Sequence, residues 1–394
     1  MVSIRTAAFA KGILWVVVLI VSPSPLMPTG LLAQKPDTVE IPAAVTCESC
    51  RILLDSLVVL GDESGDGFVD STNEVAASTE HFFVVHRVIS NDIRVFDRNG
   101  SFKTVLGRAG EGPGEYRNIK ALWVSPGDTL HVVDASSVRR TMISPDLQVI
   151  RTDRVPGPVQ YYGFLGLSDG SSILTAIAPD SLGELRLLHR LSPSGELRYS
   201  FGPPLNGSNP FNTPGPALVR IAAETKLGQT LISHGSEFLI SMYGDNGALE
   251  KALRFPNREF LELVPGGGRF PGYLPWIQDL WVDDDGRLWV LMRVGDPGWE
   301  QGVERVGVGF GRRPSVKLTD YDAFWDTVIE VVDLEAGVTL ARTRLEKNLI
   351  KFLGANRVTG RTYMENGTYR LPVLRLRLDG LATGMRVPEI KDQE

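Results

Sequence analysis

Two glycine-rich segments, "LGDESGDGF" from Leu60 and "LGRAGEGPGEY" from Leu106, share an opening Leu-Gly and two further glycines at offsets that agree to within one residue. Self-similarity at this spacing constrains the fold more than any single motif, because a repeat of that length is one supersecondary unit used many times. After each glycine-rich segment comes an apolar strand pattern, a polar turn and a second strand pattern. That hairpin recurs as "EVAASTEHFFVVH", "ALWVSPGDTLHVVD", "GFLGLSDGSSILTAI", "VRIAAETKLGQTLISH", "DLWVDDDGRLWVLM" and "KFLGANRVTGRTYMEN".

Two more short strand patterns follow each hairpin, joined by turns such as "DRNG", "SPSG" and "GDNG". Asn-Gly and Ser-Gly supply the positive φ that tight hairpins need. Four strands in each of six repeats predicts an all-β chain, a six-bladed β-propeller with four-stranded antiparallel blades. The run "RILLDSLVVLG", Arg51 to Gly61, has no hairpin of its own, and the sixth copy ends after "PVLRLRLDG". An N-terminal strand that completes the last blade would close the ring and remove an exposed edge. The organisation expected is a signal peptide over 1–33, an N-terminal segment with a CxxC motif over 34–50, the propeller over 51–386 and a tail over 387–394.

The segment "GEGPGEYRNIKALWV" with "TLHVVDASSVRRTMIS" joins a glycine-rich loop, an inner strand and a strand ending in Asp. In this it resembles exported bacterial six-bladed β-propellers related to NHL-repeat proteins, closely in the second repeat and more loosely elsewhere. Asn118 occupies the region where such repeats often carry a proline. The resemblance implies the fold and leaves the activity open, since propellers host hydrolases, lyases, binding modules and scaffolds.

Arg5 and Lys11 precede the apolar run "GILWVVVLIVS", and a proline-broken stretch ends in "LLA" before Gln34. This is an export-signal pattern, with cleavage expected after Ala33 and a secreted or periplasmic destination. No later segment approaches the twenty or so apolar residues of a spanning helix, so no membrane span is expected in the mature chain. A formal net charge of −6 argues against nucleic acid as a partner. The only two cysteines, Cys47 and Cys50, are expected to form a local disulfide in an oxidising compartment. A thioredoxin-like pair would need a βαβ setting, and attached haem would need His where Arg51 stands.

The loop after Leu106 is not a phosphate cradle: Pro113 follows Gly112 where a P-loop carries Lys, and no GxGxxG spacing is present. It reads as the crossing from one blade to the next. In "DESGDGFVDSTNE", Asp62, Ser64, Asp66 and Gly67 match the start of a calcium loop, but Asn73 takes the twelfth position and Glu74 is one late. This too reads as a crossing. Asp283, Asp284 and Asp285 fall in a hairpin turn facing solvent, as do two of the Asn-Gly-Ser/Thr sequons at Asn99, Asn206 and Asn366. Neither a GxSxG elbow nor an HExxH helix is present.

Aligning the second strand of each hairpin places His86, Asp134, His234, Met292 and Glu365 at equivalent ends. In an antiparallel hairpin those ends share a face with the glycine-rich crossings, so one mouth of the central channel is the expected site. Arg87, Arg117, Tyr162, Arg220, Trp276 and Arg293 are the candidate ligand-binding residues there. An insertion over 294–326, rich in Trp and Arg, enters the same mouth and exceeds what a hairpin needs. With no complete catalytic constellation, the leading expectation is an exported, non-catalytic binding propeller that recognises a small molecule, peptide or protein at the mouth without a cofactor. The alternative is a metal-dependent hydrolase or lyase with Ca or Zn at His86, Asp134 and His234. Oligomeric state stays open.

Overall fold

Segments such as His81–His86 and Trp325–Asp333 are buried along nearly their whole length, on both sides of the strand. A strand of that kind cannot lie on a sheet with one wet face, so it must be central in a sheet sandwiched between two others. The computed structural model describes residues 37–70, 74–86, 91–155, 160–203, 222–234, 238–256, 276–306, 315–320, 323–364 and 368–381, with the backbone alone at 160–162, 222, 234, 305–306 and 315–318.

Six antiparallel sheets follow one another along the chain. Blade 1 holds Val75–Ala77, His81–His86, Asp92–Asp97 and Phe102–Leu106, from the inside out. Blade 2 holds Ile119–Ser125, Thr129–Asp134, Arg139–Ile143 and Val149–Arg154. Blade 3 runs from Gln160–Gly166 through Ser172–Pro179 and Leu185–Leu191 to Leu197–Phe201. Blade 4 runs from Ala222–Glu224 through Thr230–His234 and Leu239–Tyr243 to Leu249–Arg254. Blade 5 comprises Trp276–Val282, Leu288–Gly295, Trp325–Asp333 and Val338–Leu345. Blade 6 comprises Asn348–Gly354, Arg357–Tyr363 and Tyr369–Asp379, with Arg51–Leu60 as its outer strand.

The N-terminal strand therefore closes the ring, in register from Arg51 against Asp379 to Leu60 against Leu371. The core is a circle of seams between neighbouring blades. Between blades 1 and 2, Val85, Ile93 and Val95 meet Ile119, Leu130 and Val132. Between blades 6 and 1, Leu60, Leu371 and Val373 meet Val75, Phe82 and Val84. The seam between blades 2 and 3 is supplemented by a stack, with Trp123 between His131 at 4.5 Å and Phe164 at 4.7 Å.

The segment before the closing strand is itself structured. Asp37–Glu40 adds a fifth, parallel strand to the outer edge of blade 4, and Val45 bridges Thr339 in the outer strand of blade 5. The chain then reaches the Cys47–Cys50 disulfide, which packs into the seam between blades 5 and 6. Residues 37–60 thus strap three consecutive blades.

The glycine-rich loop crosses from Leu106 of blade 1 to Ile119 of blade 2. It is a compact knot in which Arg108–Ala109 pairs with Glu115–Tyr116. The Glu115 carboxylate accepts the N–H groups of Glu111 and Gly112 at 3.0 and 2.8 Å. Gly107 has a φ of 78°, and a side chain there would strike the buried ring of Tyr116. Backbone geometry, not phosphate, explains the glycines. The earlier loop is likewise tied to blade 1, with Arg94 donating to the carbonyl of Asp66.

One turn departs from expectation. Asp284 and Asp285 are exposed, but Asp283 is buried. Its carboxylate accepts the N–H groups of Asp285 and Arg287 and, at 2.9 Å, the indole of Trp289. The first aspartate therefore organises the turn and anchors a core tryptophan.

Candidate functional site

In each blade the inner strand starts, and the second strand ends, on the face that carries the crossings. Blade 5 builds the densest cluster on that face. Trp276 opens its inner strand opposite Arg293 of its second strand. The Arg293 guanidinium lies 5.2 Å from the Trp276 ring and 5.8 Å from that of Trp325, and donates to Asn348 Oδ1 of blade 6 at 2.5 Å. Trp276 and Trp325 meet edge-on at 5.0 Å. Phe324 and Trp299 extend the aromatic chain into the insertion.

Within the insertion, a turn of 3₁₀ helix, Trp299–Gly302, precedes two paired strands, Val303–Val306 against Ser315–Leu318. Its stem closes where the Asp296 N–H meets the Phe324 carbonyl at 3.0 Å.

A second feature lies deeper in the same sector. The pairing of blade 5 skips Gln278, a β-bulge between Ile277 and Asp279. A bulge re-aims side chains that strict alternation would send to opposite faces. Here both polar side chains reach blade 6: Gln278 Nε2 donates to the Ile350 carbonyl at 3.1 Å, and Asp279 Oδ2 accepts the Phe352 N–H at 2.6 Å. Lys351 Nζ lies 3.6 Å from Glu74, which immediately precedes the inner strand of blade 1. Asp279 and Lys351 on two neighbouring inner strands, with Glu74 just before a third, thus put three titratable side chains in one sector of the channel wall. Asp279 is half-buried by exposure, yet its depth among the strands strips away enough water to push its carboxyl up to about 7, against the pull of Lys351 and the Phe352 N–H.

Among the residues expected from sequence, Trp276 and Arg293 come together directly. Arg117 turns its exposed guanidinium to Glu111, 2.7 Å away within the same crossing. Tyr162 sits at a bulge of the blade 3 inner strand, but its side chain lies outside the described residues. Arg87, Arg220 and Glu365 lie outside them altogether. Met292 is buried in the seam between blades 4 and 5.

His86, Asp134 and His234 end the second strands of blades 1, 2 and 4, as the register predicts. His86 is buried, with Nε2 3.4 Å from Asp70 and Nδ1 accepting from Arg94 at 3.0 Å. Asp134 accepts from the N–H groups of Arg117, Asn118, Ser136 and Ser137 and from the Ser137 hydroxyl. Burial pushes its carboxyl up, but these donors outweigh it and hold the group below the ordinary range. Its oxygens fasten the crossing to the strand end. The side chain of His234 lies outside the described residues. Among the described residues no three His, Cys, Asp or Glu side chains gather as a metal set. Cys47 and Cys50 form the expected disulfide.

Residues 66–156 match a family model, DUF5128, described as a 6-bladed beta-propeller. The fold is that of a six-bladed β-propeller. Among solved structures the propeller is similar to a Bacteroides fragilis protein classed as exported, at 9% identity and a TM-score of 0.53 over 87% of this chain and 100% of that one. It is also similar to a DUF4221 family member from Bacteroides vulgatus, at 10% identity and a TM-score of 0.52 over 84% of this chain and 99% of that one. A Staphylococcus aureus virginiamycin B lyase aligns at 10% identity and a TM-score of 0.47 over 83% of this chain and 100% of that one. Likeness at these identities is likeness of the propeller, and function has to be argued from the site. No curated protein sequence matches the chain.

Asp279, Gln278 and Lys351 are absent from the residues picked out by sequence, and Glu74 figures there only as a misplaced calcium-loop glutamate. A signal was there: "WIQDLW" breaks strand alternation with two adjacent polar residues, which marks a bulge.

Proposed function

We propose that this propeller is an exported, non-catalytic binding protein that takes an anionic or carbohydrate-like ligand at the channel mouth, in the sector of blades 5, 6 and 1. The observation that carries the reading is the placement of Arg293 against Trp276, Trp325 and Asn348, in the sector that also holds the Asp279, Lys351 and Glu74 side chains. A planar guanidinium with aromatic faces and a few placed polar groups is the usual lining of a site for small polar ligands. Export is supported by the signal-like N-terminus, by the disulfide and by one fold neighbour classed as exported. No helix among the described residues is long and apolar enough to cross a membrane.

The reading is tested by a thermal-shift screen with glucuronate, oligogalacturonate, N-acetylneuraminate, neutral cello-oligosaccharides and acidic tripeptides. Stabilisation by an acidic or saccharide probe that is lost in Arg293→Ala supports it. Stabilisation by none of them contradicts it.

A second reading, a metal-dependent hydrolase or lyase, draws on one observation: His86 lies between Asp70 at 3.4 Å and Asp92 at 3.7 Å. The donors already held by Asp134 and by His86 Nδ1 favour the binding reading. Metal analysis of the purified protein separates the two, since stoichiometric zinc or calcium lost on His86→Ala or His234→Ala would support the enzyme.

A further inference from the structure

Asp37–Glu40 lies parallel on the outer strand of blade 4, Leu249–Arg254, with Asp37 opposite Lys251, Val39 opposite Leu253 and Glu40 opposite Arg254. The four residues it covers follow a bulge, since the pairing of Leu249–Arg254 with the next strand inward skips Glu250. Two acidic residues at the ends of the added strand thus stand in register with two cations of the edge. Lys251 Nζ also donates to the Leu334 carbonyl at 3.2 Å, in the outer hairpin turn of blade 5.

The outer strand of blade 2, Val149–Arg154, repeats each part of that edge. Its pairing skips Ile150, and the residues after this bulge are Arg151, Thr152, Asp153 and Arg154, cationic at the first and fourth places as in blade 4. Arg151 Nη2 donates to the Pro193 carbonyl at 3.4 Å, in the outer hairpin turn of blade 3, as Lys251 does to Leu334 of blade 5. Other outer strands carry the bulge without this spacing: residues 104–106 of blade 1 and 199–201 of blade 3 contain no cation, and blade 5 has Arg342 and Arg344 at the second and fourth places. Among the described residues no strand covers the blade 2 edge. Val149 and Ile150 are 50% and 58% exposed there, and Arg151, Thr152 and Arg154 are exposed beside them. A bare edge with exposed apolar side chains is a template for another strand, and blade 4 pairs past the same kind of bulge.

We propose that the outer edge of blade 2 binds an extended segment of a partner protein by parallel strand addition, a segment acidic at its first and fourth residues. Asp37–Glu40 is already committed to blade 4, so the occupant comes from another protein. Main-chain pairing supplies the affinity, and Arg151 and Arg154 select the sequence and its register. The third residue of the segment is polar: Asp153, held by Arg140 at 3.0 Å and Arg151 at 2.9 Å, stands where blade 4 offers Leu253 to Val39. The site is independent of the channel mouth.

The probe is a fluorescein-labelled peptide, PDTTEIP, which is residues 36–42 with Val39→Thr, titrated with the full chain at low salt and read by polarisation. One peptide should bind per chain, more weakly as salt is added, and at least tenfold more weakly in Arg151→Glu with Arg154→Glu. A peptide with lysine in both acidic places should prefer that variant to wild type, which separates charge reversal from misfolding. Methylating the peptide's backbone nitrogen at position 38 and, separately, at position 39 should abolish binding in one case and spare it in the other, because the N–H groups of alternate residues in a paired strand face the partner. No binding to wild type overturns the proposal, as do equal affinities for wild type and variant, failure of the lysine peptide to prefer the variant, or equal affinities of the two methylated peptides. A wild-type dimer in sedimentation that the same substitutions dissociate would make a second copy the occupant and equally overturn it.

Discussion

Asp279 of blade 5 accepts the backbone N–H of Phe352 of blade 6 at 2.6 Å, across the boundary between two inner strands. A carboxyl pushed up to about 7 by its depth carries its proton in the fold at pH values where the unfolded chain has lost it. The stabilisation from that proton is fully present below the ordinary carboxylate range and is lost as pH rises through about 7. Asp279→Asn, which keeps an acceptor for Phe352, should therefore gain in melting temperature over wild type as pH rises from 5 to 9. An offset that stays constant across that range would show that the carboxyl titrates normally.

His131 carries the opposite dependence. Burial, helped by Arg140 and Arg151, lowers its pKa to about 4. Below pH 6.5 the unfolded chain takes up a proton that the fold refuses, so stability falls between about 6.5 and about 4, by roughly 3 kcal/mol in total. His131→Phe keeps a ring against Trp123 and should flatten this part of the pH profile in denaturant titrations at pH 4.5 and 7. Equal slopes for the two proteins would remove His131 from the acid sensitivity.

The ring closure separates two kinds of damage. Cys47→Ser with Cys50→Ser removes a very short covalent loop and should cost about 2 kcal/mol in the chain-entropy view. Deleting residues 47–61 removes the whole outer strand of blade 6 and bares the edge of Tyr369–Asp379. The deletion should self-associate and melt much earlier, as read by light scattering and calorimetry. A monomeric deletion protein of unchanged stability would contradict the closure.

What was legible in the sequence is what repeats. The Leu-Gly crossings, the six hairpins and the leftover strand at Arg51 each constrain the others, so the blade count and closure follow. The strap was not legible, because "DTVE" is four residues long and its partner Leu249–Arg254 lies two hundred residues away. The strand-end register placed His86 and Asp134 correctly but could not reveal that Asp134 would be occupied by its own crossing. Asp279 reaches the blade 6 backbone only because a bulge at Gln278 turns both polar residues toward the next blade.

The most direct measurement of the binding claim is isothermal titration with whichever of the acidic or saccharide probes stabilises wild type most. Affinity should fall at least tenfold in Arg293→Ala, a loss of about 1.4 kcal/mol, and remain within twofold in Asp284→Asn with Asp285→Asn, on the opposite face. Binding that survives Arg293→Ala with Trp276→Ala, or that is lost through the Asp284 and Asp285 substitutions, would place the ligand elsewhere and contradict the account.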